Sequence, residues 1–235
     1  MPQAFRVDRL KRPAYLALCV MACRPTLPPL LPAGLEAAEP GQVAPWVAST
    51  QPDGRVLLRF TWLLREEKAS KGGRGVVRFA PPDTIRLDIQ GSLGIGRGSA
   101  LLIGDSARWM KPDGSIEDLV PAVPLFWAML GIARPPGVVA GLSALELQDR
   151  VVWRYATEQD TLDYLLGRSG SGELQAEMRS GAKTVGRTRF TRRETGDPAR
   201  ATLTMPSGPA KLEIKFYATQ HPDSFASETW APPGD

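Results

Sequence analysis

Residues 55–65 read Arg-Val-Leu-Leu-Arg-Phe-Thr-Trp-Leu-Leu-Arg, and their pattern decides the fold. Every second residue from Val56 to Leu64 is apolar, whereas Arg59 and Arg65 lie at alternate positions. Successive side chains of a strand point to opposite faces of its sheet, so this stretch is expected to have one buried and one solvated face. It is typical of a strand in an antiparallel sheet.

The same alternation recurs along the chain, as in residues 84–90 and 211–218, and Pro81-Pro82-Asp83 is typical of the turns between such strands. Further strands are expected near 74–80, 98–104, 142–148, 150–156, 161–166, 173–179, 183–191 and 199–205. We therefore predict a mainly β fold of about ten or eleven antiparallel strands with a few short covering helices. A sheet this wide twists toward an incomplete, half-open barrel whose apolar face lines an interior.

Residues 124–132 break the alternation, since Pro-Leu-Phe-Trp-Ala-Met-Leu-Gly-Ile is apolar on all sides. The segment is shorter than the roughly 20 residues that span a bilayer. It is also too apolar for a solvated helix. We expect a buried helix over the mouth of the curled sheet, either as a mobile lid or as an ordinary core helix. The predicted lining of the interior consists of Phe60, Trp62, Leu87, Ile89, Trp153, Tyr155 and Phe216 from the strands and Phe126, Trp127 and Leu130 from the helix.

The amino-terminal residues are typical of a secretory leader. A basic stretch at 1–12 precedes an apolar stretch at 14–22, which ends in Val20-Met21-Ala22-Cys23. This ending resembles a lipobox, in which the cysteine thiol carries a diacylglycerol. We predict a signal peptide at 1–22 and a lipid anchor at Cys23; the alternative is a plain signal peptide that is cut elsewhere.

Residues 24–45 contain six prolines, which oppose a long helix. The predicted organisation is therefore a lipidated cysteine and Pro-rich tether at 23–45, followed by the β-domain at 46–235. The formal net charge is +4, of which residues 1–23 supply an excess of three through four cations against Asp8, so the remainder carries +1. This small excess argues against a nucleic-acid partner.

Residues suited to catalysis or metal binding are scarce. His221 is the sole histidine, and the two cysteines, Cys19 and Cys23, both lie in the leader region. A disulfide framework, a thiolate metal site and the usual hydrolase constellations therefore cannot be assembled. We expect a protein that is not an enzyme and that has no cofactor and no metal site.

The arrangement resembles the LolA/LolB superfamily of lipoprotein carriers over residues 54–219. The similarity is most specific at 75–89, continues through Gly91-Ser92-Leu93-Gly94, and ends with the strand at 98–103. It implies an incomplete antiparallel barrel with an apolar cavity lidded by helices. Cys23 favours the LolB-type receptors, which are themselves lipoproteins. Leu93 matches the protruding leucine that these receptors use in lipoprotein insertion, with Ser92 in place of a proline.

The resemblance implies a lipid-anchored envelope protein, expected at the periplasmic face of the outer membrane, that binds the acyl chains of lipoproteins or other lipids. The expected partners are these acyl chains, the membrane surface through Cys23, and a periplasmic carrier protein. Leu93 would then contact membrane or cargo, although an ordinary hairpin tip fits the sequence equally well. The competing interpretation is a structural or interaction lipoprotein of the same fold, with its interior filled by side chains.

Overall fold

The computed structural model describes residues 27–92, 96–112, 120–168, 172–206, 208 and 210–233, which form one wide sheet and two short α-helices. In chain order the elements are β1 (Glu36–Ala37), α1 (Pro40–Ala48), β2 (Val56–Arg65), β3 (Ser70–Ala80), β4 (Thr84–Gly91), β5 (Arg97–Ile103), β6 (Ser106–Lys111), α2 (Val123–Met129), β7 (Gly141–Glu146), β8 (Arg150–Ala156), β9 (Asp160–Gly167), β10 (Leu174–Ser180), β11 (Lys183–Arg192), β12 (Pro198–Met205), β13 (Ala210–Gln220) and a 3-10 helix at Ser227–Trp230.

All thirteen described strands belong to a single antiparallel sheet in the order β1-β7-β8-β9-β10-β11-β12-β13-β2-β3-β4-β5-β6. Two meanders, β2–β6 and β7–β13, join where β13 pairs with β2, for example at Ile214 and Trp62. Among the described strands, β1 and β6 remain as free edges, so the sheet does not close on itself. The predicted mainly β, half-open barrel is confirmed, with thirteen described strands in place of the ten or eleven expected.

Two glycines allow aromatic rings to pack directly against the backbone of the sheet and of the turn after α2. The ring of Phe60 lies across Gly75 of the neighbouring β3, where a Cβ atom would come within 2.2 Å of Phe60 Cζ. Gly131, with φ of +80°, ends the turn after α2 and lies against the ring of Phe190. Any larger residue at position 75 would displace an aromatic ring from the core.

Two helices fill the concave side of the sheet. The predicted buried helix is present as α2, which packs against β10, β11 and β12 with residues 125–129 all buried. In α1, Val43 is buried and Trp46 contacts Trp153, with ring centroids 5.9 Å apart. Among the described residues, no helix has the length and apolar character needed to cross a membrane.

The amino-terminal segment lies on the convex side of the sheet. Leu31 is buried against Val152 and Leu165, and Glu36–Ala37 pairs with β7. The Arg187 guanidinium donates a hydrogen bond to the carbonyl oxygen of Pro28. From residue 27 onward, the expected tether therefore contacts the sheet. The division of the chain at residue 45 stays a prediction, and residues 1–22 and Cys23 lie outside the described residues.

The carboxy-terminal segment covers the opposite flank of the convex side. Arg86 Nη1 donates hydrogen bonds to the carbonyl oxygens of Thr229, at 2.7 Å, and Ala231, at 2.9 Å. Its Nε also binds Asp88 at 3.0 Å. One outward-facing arginine of β4 thus attaches the chain end to the sheet.

Candidate functional site

The ten residues predicted to line the interior come together in one hydrophobic cluster. Trp127 and Trp153 are fully buried, whereas Trp62 and Ile89 are partly buried and pack against the cluster. Those that are buried are Phe60, Leu87, Phe126, Trp127, Leu130, Trp153, Tyr155 and Phe216. They pack against one another and against the helices, so their role as a ligand lining stays a prediction.

Aromatic rings pack closely around α2 in this interior. Trp153 stacks on Tyr164 with ring centroids 5.2 Å apart, and Phe79 meets Trp127 edge to face at 6.3 Å. Trp127 Nε1 donates a hydrogen bond to the carbonyl oxygen of Gly104 at 2.9 Å. Offset or edge-to-face rings of this kind add stability beyond the area that they bury.

Tyr164 ties the loop that follows α2 to the sheet. Its hydroxyl donates to the carbonyl oxygen of Arg134 at 3.0 Å and accepts from the Arg134 amide at 3.1 Å. Burial raises the pKa of Tyr164, so the phenol stays neutral. Sequence reasoning did not single out Tyr164, although its position within the expected strand 161–166 places it on the same face as Leu162.

An apolar cleft separates α2 from the edge strand β6, and we term it the edge cleft. It has a volume of about 420 Å³, within the range of small-ligand sites. Asp105 and Ser106 are its polar members. Its other lining residues are Leu102, Ala107, Met110, Val120, Pro121, Ala122, Val123 and Phe126.

A second cleft, the end cleft, opens where β2 begins and β13 ends, with a volume of about 390 Å³. Apolar members of its lining are Val56, Leu58, Val77, Phe79, Leu130 and Ile132. Polar members include Ser49, Gln51, Asp53, Arg192, Thr195, Asp197, Thr219 and His221. Phe126 lines the edge cleft and Leu130 the end cleft, so α2 and the turn after it lie between the two.

Four buried side-chain polar atoms have no hydrogen-bond partner among the described residues. They are the indole Nε1 atoms of Trp62 and Trp153, Nε of Arg134 and the hydroxyl of Thr219. Trp62 pairs in register with Gly73 and Ile214 in the middle of the sheet, and Thr219 lines the end cleft. A buried donor without a partner costs about 1–3 kcal/mol, so each of these positions offers an unused hydrogen bond.

The loop after α2 exposes two apolar side chains beside the edge cleft. Val138 is 76% exposed and Val139 43% exposed. Arg134 in the same loop reaches Asp105 of the cleft, with Nε and Oδ1 3.5 Å apart. Sequence reasoning missed this valine pair. The predicted membrane or cargo residue, Leu93, and the predicted anchor, Cys23, lie outside the described residues.

Buried carboxylates occur on the convex side and are already paired. Asp163 accepts a hydrogen bond from Arg154 Nε at 2.6 Å, and Glu177 accepts one from Arg179 Nε at 2.6 Å and others from Arg187. Such pairing holds the strands together and leaves no carboxylate free for proton transfer at these positions. The described residues contain no group of three or more His, Cys, Asp or Glu side chains placed to hold a metal ion.

Comparison with known proteins places this geometry among described folds. A scan against protein-family models and a search of the curated proteins found no match. Among solved structures, a LolA superfamily protein from Nitrosomonas europaea is similar with a TM-score of 0.56 and 13% identity, covering 83% of this chain and 99% of that one.

A second solved structure shares the architecture. It is a putative outer membrane lipoprotein-sorting protein domain from Vibrio parahaemolyticus, similar with a TM-score of 0.51 and 7% identity. The match covers 81% of this chain and 95% of that one. At these identities the likeness concerns the fold alone, and that fold is the incomplete barrel that the resemblance implied. The chain therefore has the open-barrel fold of the LolA superfamily.

Proposed function

We propose that the chain is a lipid-anchored envelope protein that binds the acyl chains of lipoproteins or other lipids between α2 and the concave face of the sheet. The observation that carries this proposal is the position of α2, an apolar helix of seven residues lying between the apolar edge cleft and the end cleft, whose lining is partly apolar and partly polar. If α2 moves away from the sheet, the edge cleft and the end cleft join into one channel that is apolar at the edge cleft and partly polar at the end cleft.

The attachment of α2 supports its movement. Neither end of the helix has a side-chain cap, and a helix of this length is not stable on its own. Packing therefore holds it, mainly through side chains whose burial is favourable in proportion to apolar area and without directional preference. The hydrogen bond from Trp127 Nε1 to the carbonyl oxygen of Gly104 adds a directional contact. An acyl chain can replace the apolar contacts, since each buried methylene contributes about 0.8 kcal/mol.

Polar features near the interior suit the head of a lipid. The unpartnered indole N–H of Trp62 is a donor to which an ester carbonyl oxygen can bind. The exposed pair Val138 and Val139 lies in the loop that Arg134 connects to the edge cleft, where a lipid chain would enter from a membrane.

The lipid anchor at Cys23 and the position at the periplasmic face of the outer membrane belong to the same proposal. One structural neighbour is described as an outer membrane lipoprotein-sorting protein domain, which supports a role in lipoprotein localisation. An anchored receptor of the LolB type would take its cargo from a periplasmic carrier protein. We propose binding and transfer in place of catalysis.

A second candidate function is a structural or interaction lipoprotein of the same fold. The complete burial of Trp127, Trp153 and Phe190 favours it, because this conformation already fills the space beside α2. The two candidates differ in whether an acyl chain can displace α2.

The test is titration of the purified full chain with a fatty acid that carries an environment-sensitive fluorophore. Ala107 is exposed at the edge cleft, so Ala107→Trp fills the cleft from its rim. We expect this variant to lose about tenfold in affinity, equivalent to 1.4 kcal/mol. Gln148→Trp, in an exposed turn, is the control and should bind like the parent. A parent chain that binds no probe would favour the filled-core candidate.

A further inference from the structure

The two terminal segments leave part of the convex face uncovered. Residues 27–37 lie over the flank that includes β8 and β9, where Leu31 contacts Val152 and Leu165. Residues 229–233 lie over β4 and β6 through Arg86 and Trp109. Five strands lie between these two terminal segments. We term their outward side chains the convex strip; the strands are β11, β12, β13, β2 and β3.

The convex strip is strongly cationic. Within the described strands β2, β3 and β11–β13, Glu213 is the only carboxylate, and it is occupied by Lys211 at 2.9 Å and Arg65 at 3.0 Å. Exposed cations of the strip with no ion pair among the described residues are Arg59, Arg74, Arg200 and Lys215. Because the chain beyond residue 23 carries a formal charge of only +1, this is a local concentration of charge and not a general excess.

The register of the strands aligns these cations. Arg200 is the Cα partner of Lys215, Lys215 of Thr61, and Thr61 of Arg74. At a strand separation of about 4.8 Å, the row from Arg200 to Arg74 spans about 14 Å. An open groove of about 690 Å³ adjoins the row, and Arg189, Arg200, Lys211 and Lys215 supply its charged lining.

We propose that the convex strip binds the anionic phospholipid headgroups of a membrane surface. Guanidinium groups bind phosphate oxygens in a bidentate manner, and a row of cations on a shallow face matches a layer of phosphates. Tyr217 of β13 is 52% exposed, and tyrosine is enriched where proteins meet the headgroup region.

The position of the amino-terminal segment favours a membrane over other polyanions; this step rests on the proposed function, since it uses the anchor at Cys23. Arg187, two residues before Arg189 on β11, holds the carbonyl oxygen of Pro28. Pro28 lies five positions after Cys23, so even a fully extended connection reaches at most about 18 Å. An acylated Cys23 would therefore keep the convex strip beside the headgroups at high effective concentration.

The test compares two exposed lysines in the full-length protein reconstituted in vesicles. Lys215 belongs to the convex strip. Lys183, at the start of β11, does not, because a β-bulge shifts the register there and pairs Lys183 with Ser180 on the opposite face. The protein is treated with a water-soluble amine reagent in vesicles containing phosphatidylglycerol and in vesicles of phosphatidylcholine alone. We expect labelling of Lys215 to fall several-fold with phosphatidylglycerol and to return in high salt, while Lys183 reacts equally in both.

Charge-reversal variants test whether the cations of the convex strip cause the protection of Lys215. Arg200→Glu combined with Arg74→Glu should abolish the protection of Lys215, whereas Arg108→Glu, on the exposed edge strand β6, should preserve it. Equal labelling of Lys215 in both kinds of vesicle, with acylation of Cys23 verified by mass, would overturn the proposal. Protection by inorganic phosphate or duplex DNA without vesicles would also contradict it, since it would indicate a site for free anions.

Failure of the proposed function has a different signature. Loss of fatty-acid binding with Lys215 still protected would refute the acyl-chain site and leave the convex strip intact. A chain without acyl mass at Cys23 that still sediments with phosphatidylglycerol vesicles would refute the anchor and support the strip. Failure of both measurements would overturn both proposals.

Discussion

Leu125 of α2 lies directly over Gly186 of β11, where a Cβ atom would come within 2.8 Å of Leu125 Cδ1 and 3.0 Å of Leu203 Cδ1. The absence of a side chain at position 186 therefore allows α2 to rest on the sheet. This contact joins the most apolar helix of the chain to the centre of the concave face. A substitution at residue 186 should therefore weaken the packing of α2 against the sheet.

Replacing Gly186 by valine should push α2 away from β11. Overpacking of a filled core costs about 1–3 kcal/mol in the free energy of unfolding, which urea titration measures. The fluorescent fatty acid should then bind faster, because α2 no longer closes the interior. Gly141→Val, where only Ala156 Cβ lies within 4 Å, is the control and should change stability little. Unchanged stability in the Gly186 variant would contradict the close contact.

Asp88 should contribute stability that depends on pH. Burial raises its pKa, but hydrogen bonds from Arg86 and Ser99 and the charges of Arg86 and Arg78 outweigh this, so the net pKa lies below the usual value. A carboxyl whose pKa is lower in the folded state stabilises at pH above its unfolded pKa and loses that contribution as the pH falls through its folded pKa.

Asp88→Asn should therefore reduce the free energy of unfolding at pH 7, and the difference from the parent should shrink as the pH falls below about 4. Urea titrations at several pH values measure this. The exposed Asp53→Asn is the control for removal of a carboxylate at the surface. A difference that stays constant down to pH 2 would show that Asp88 acts through packing and not through its charge.

Strand faces were predictable from the sequence because period-two alternation reports burial directly. The pattern at Val56 to Leu64 places Phe60 and Leu64 in the core as expected. It did not reveal β6, where Trp109 and Met110 are adjacent and a bulge interrupts pairing with β5. Likewise β1 has two residues, too few for any periodicity, and exists through its pairing with β7.

The packing of the interior and the row of cations on the convex strip depend on contacts between residues that are far apart in the sequence. Trp153 is buried because Trp46 and Tyr164 pack on it, and neither contact is visible in local pattern. In the same way Arg74 and Arg200 lie 126 positions apart in the sequence and align only through strand register. The formal charge of only +1 beyond residue 23 gave no sign of this row.

Cys23 should be the mature amino terminus and carry the acyl anchor. We expect Cys23→Ser to leave the membrane fraction, because one or more acyl chains supply the membrane affinity. Fractionation and intact mass measure this. Cys19→Ser is the matched control, since the leader is removed with that residue. A Cys23→Ser protein that remains in the membrane fraction with an unaltered mass would show that the lipobox interpretation is wrong.

Leu93 should contact membrane or cargo and not the core. Leu93→Glu is expected to leave the melting temperature nearly unchanged, because glycines on both sides offer little to bury it. The same variant should impair transfer of a lipoprotein to membranes. The buried Leu87→Glu is the contrasting variant and should lower the melting temperature strongly. If Leu93→Glu also lowered the melting temperature strongly, Leu93 would belong to the core and the prediction would be wrong.

Trp62 should recognise the ester group of a bound lipid. Its indole N–H is buried and has no partner among the described residues, so an ester carbonyl oxygen would gain a hydrogen bond there that a hydrocarbon cannot. Trp62→Phe removes the donor and keeps an aromatic ring. We expect affinity for a fatty-acid methyl ester to fall by about 1 kcal/mol, roughly fivefold, and affinity for an alkane of equal length to change little.

Two probes and one control variant make the test of Trp62 specific. Trp109→Phe removes an indole N–H that already donates to the carbonyl oxygen of Trp230, outside the barrel, and should change neither affinity. An equal loss of ester and alkane binding in Trp62→Phe would mean that the ring serves only as packing. Loss confined to the ester would place the lipid head beside β2 and its chain beneath α2, because apolar lining residues of the two clefts flank that helix.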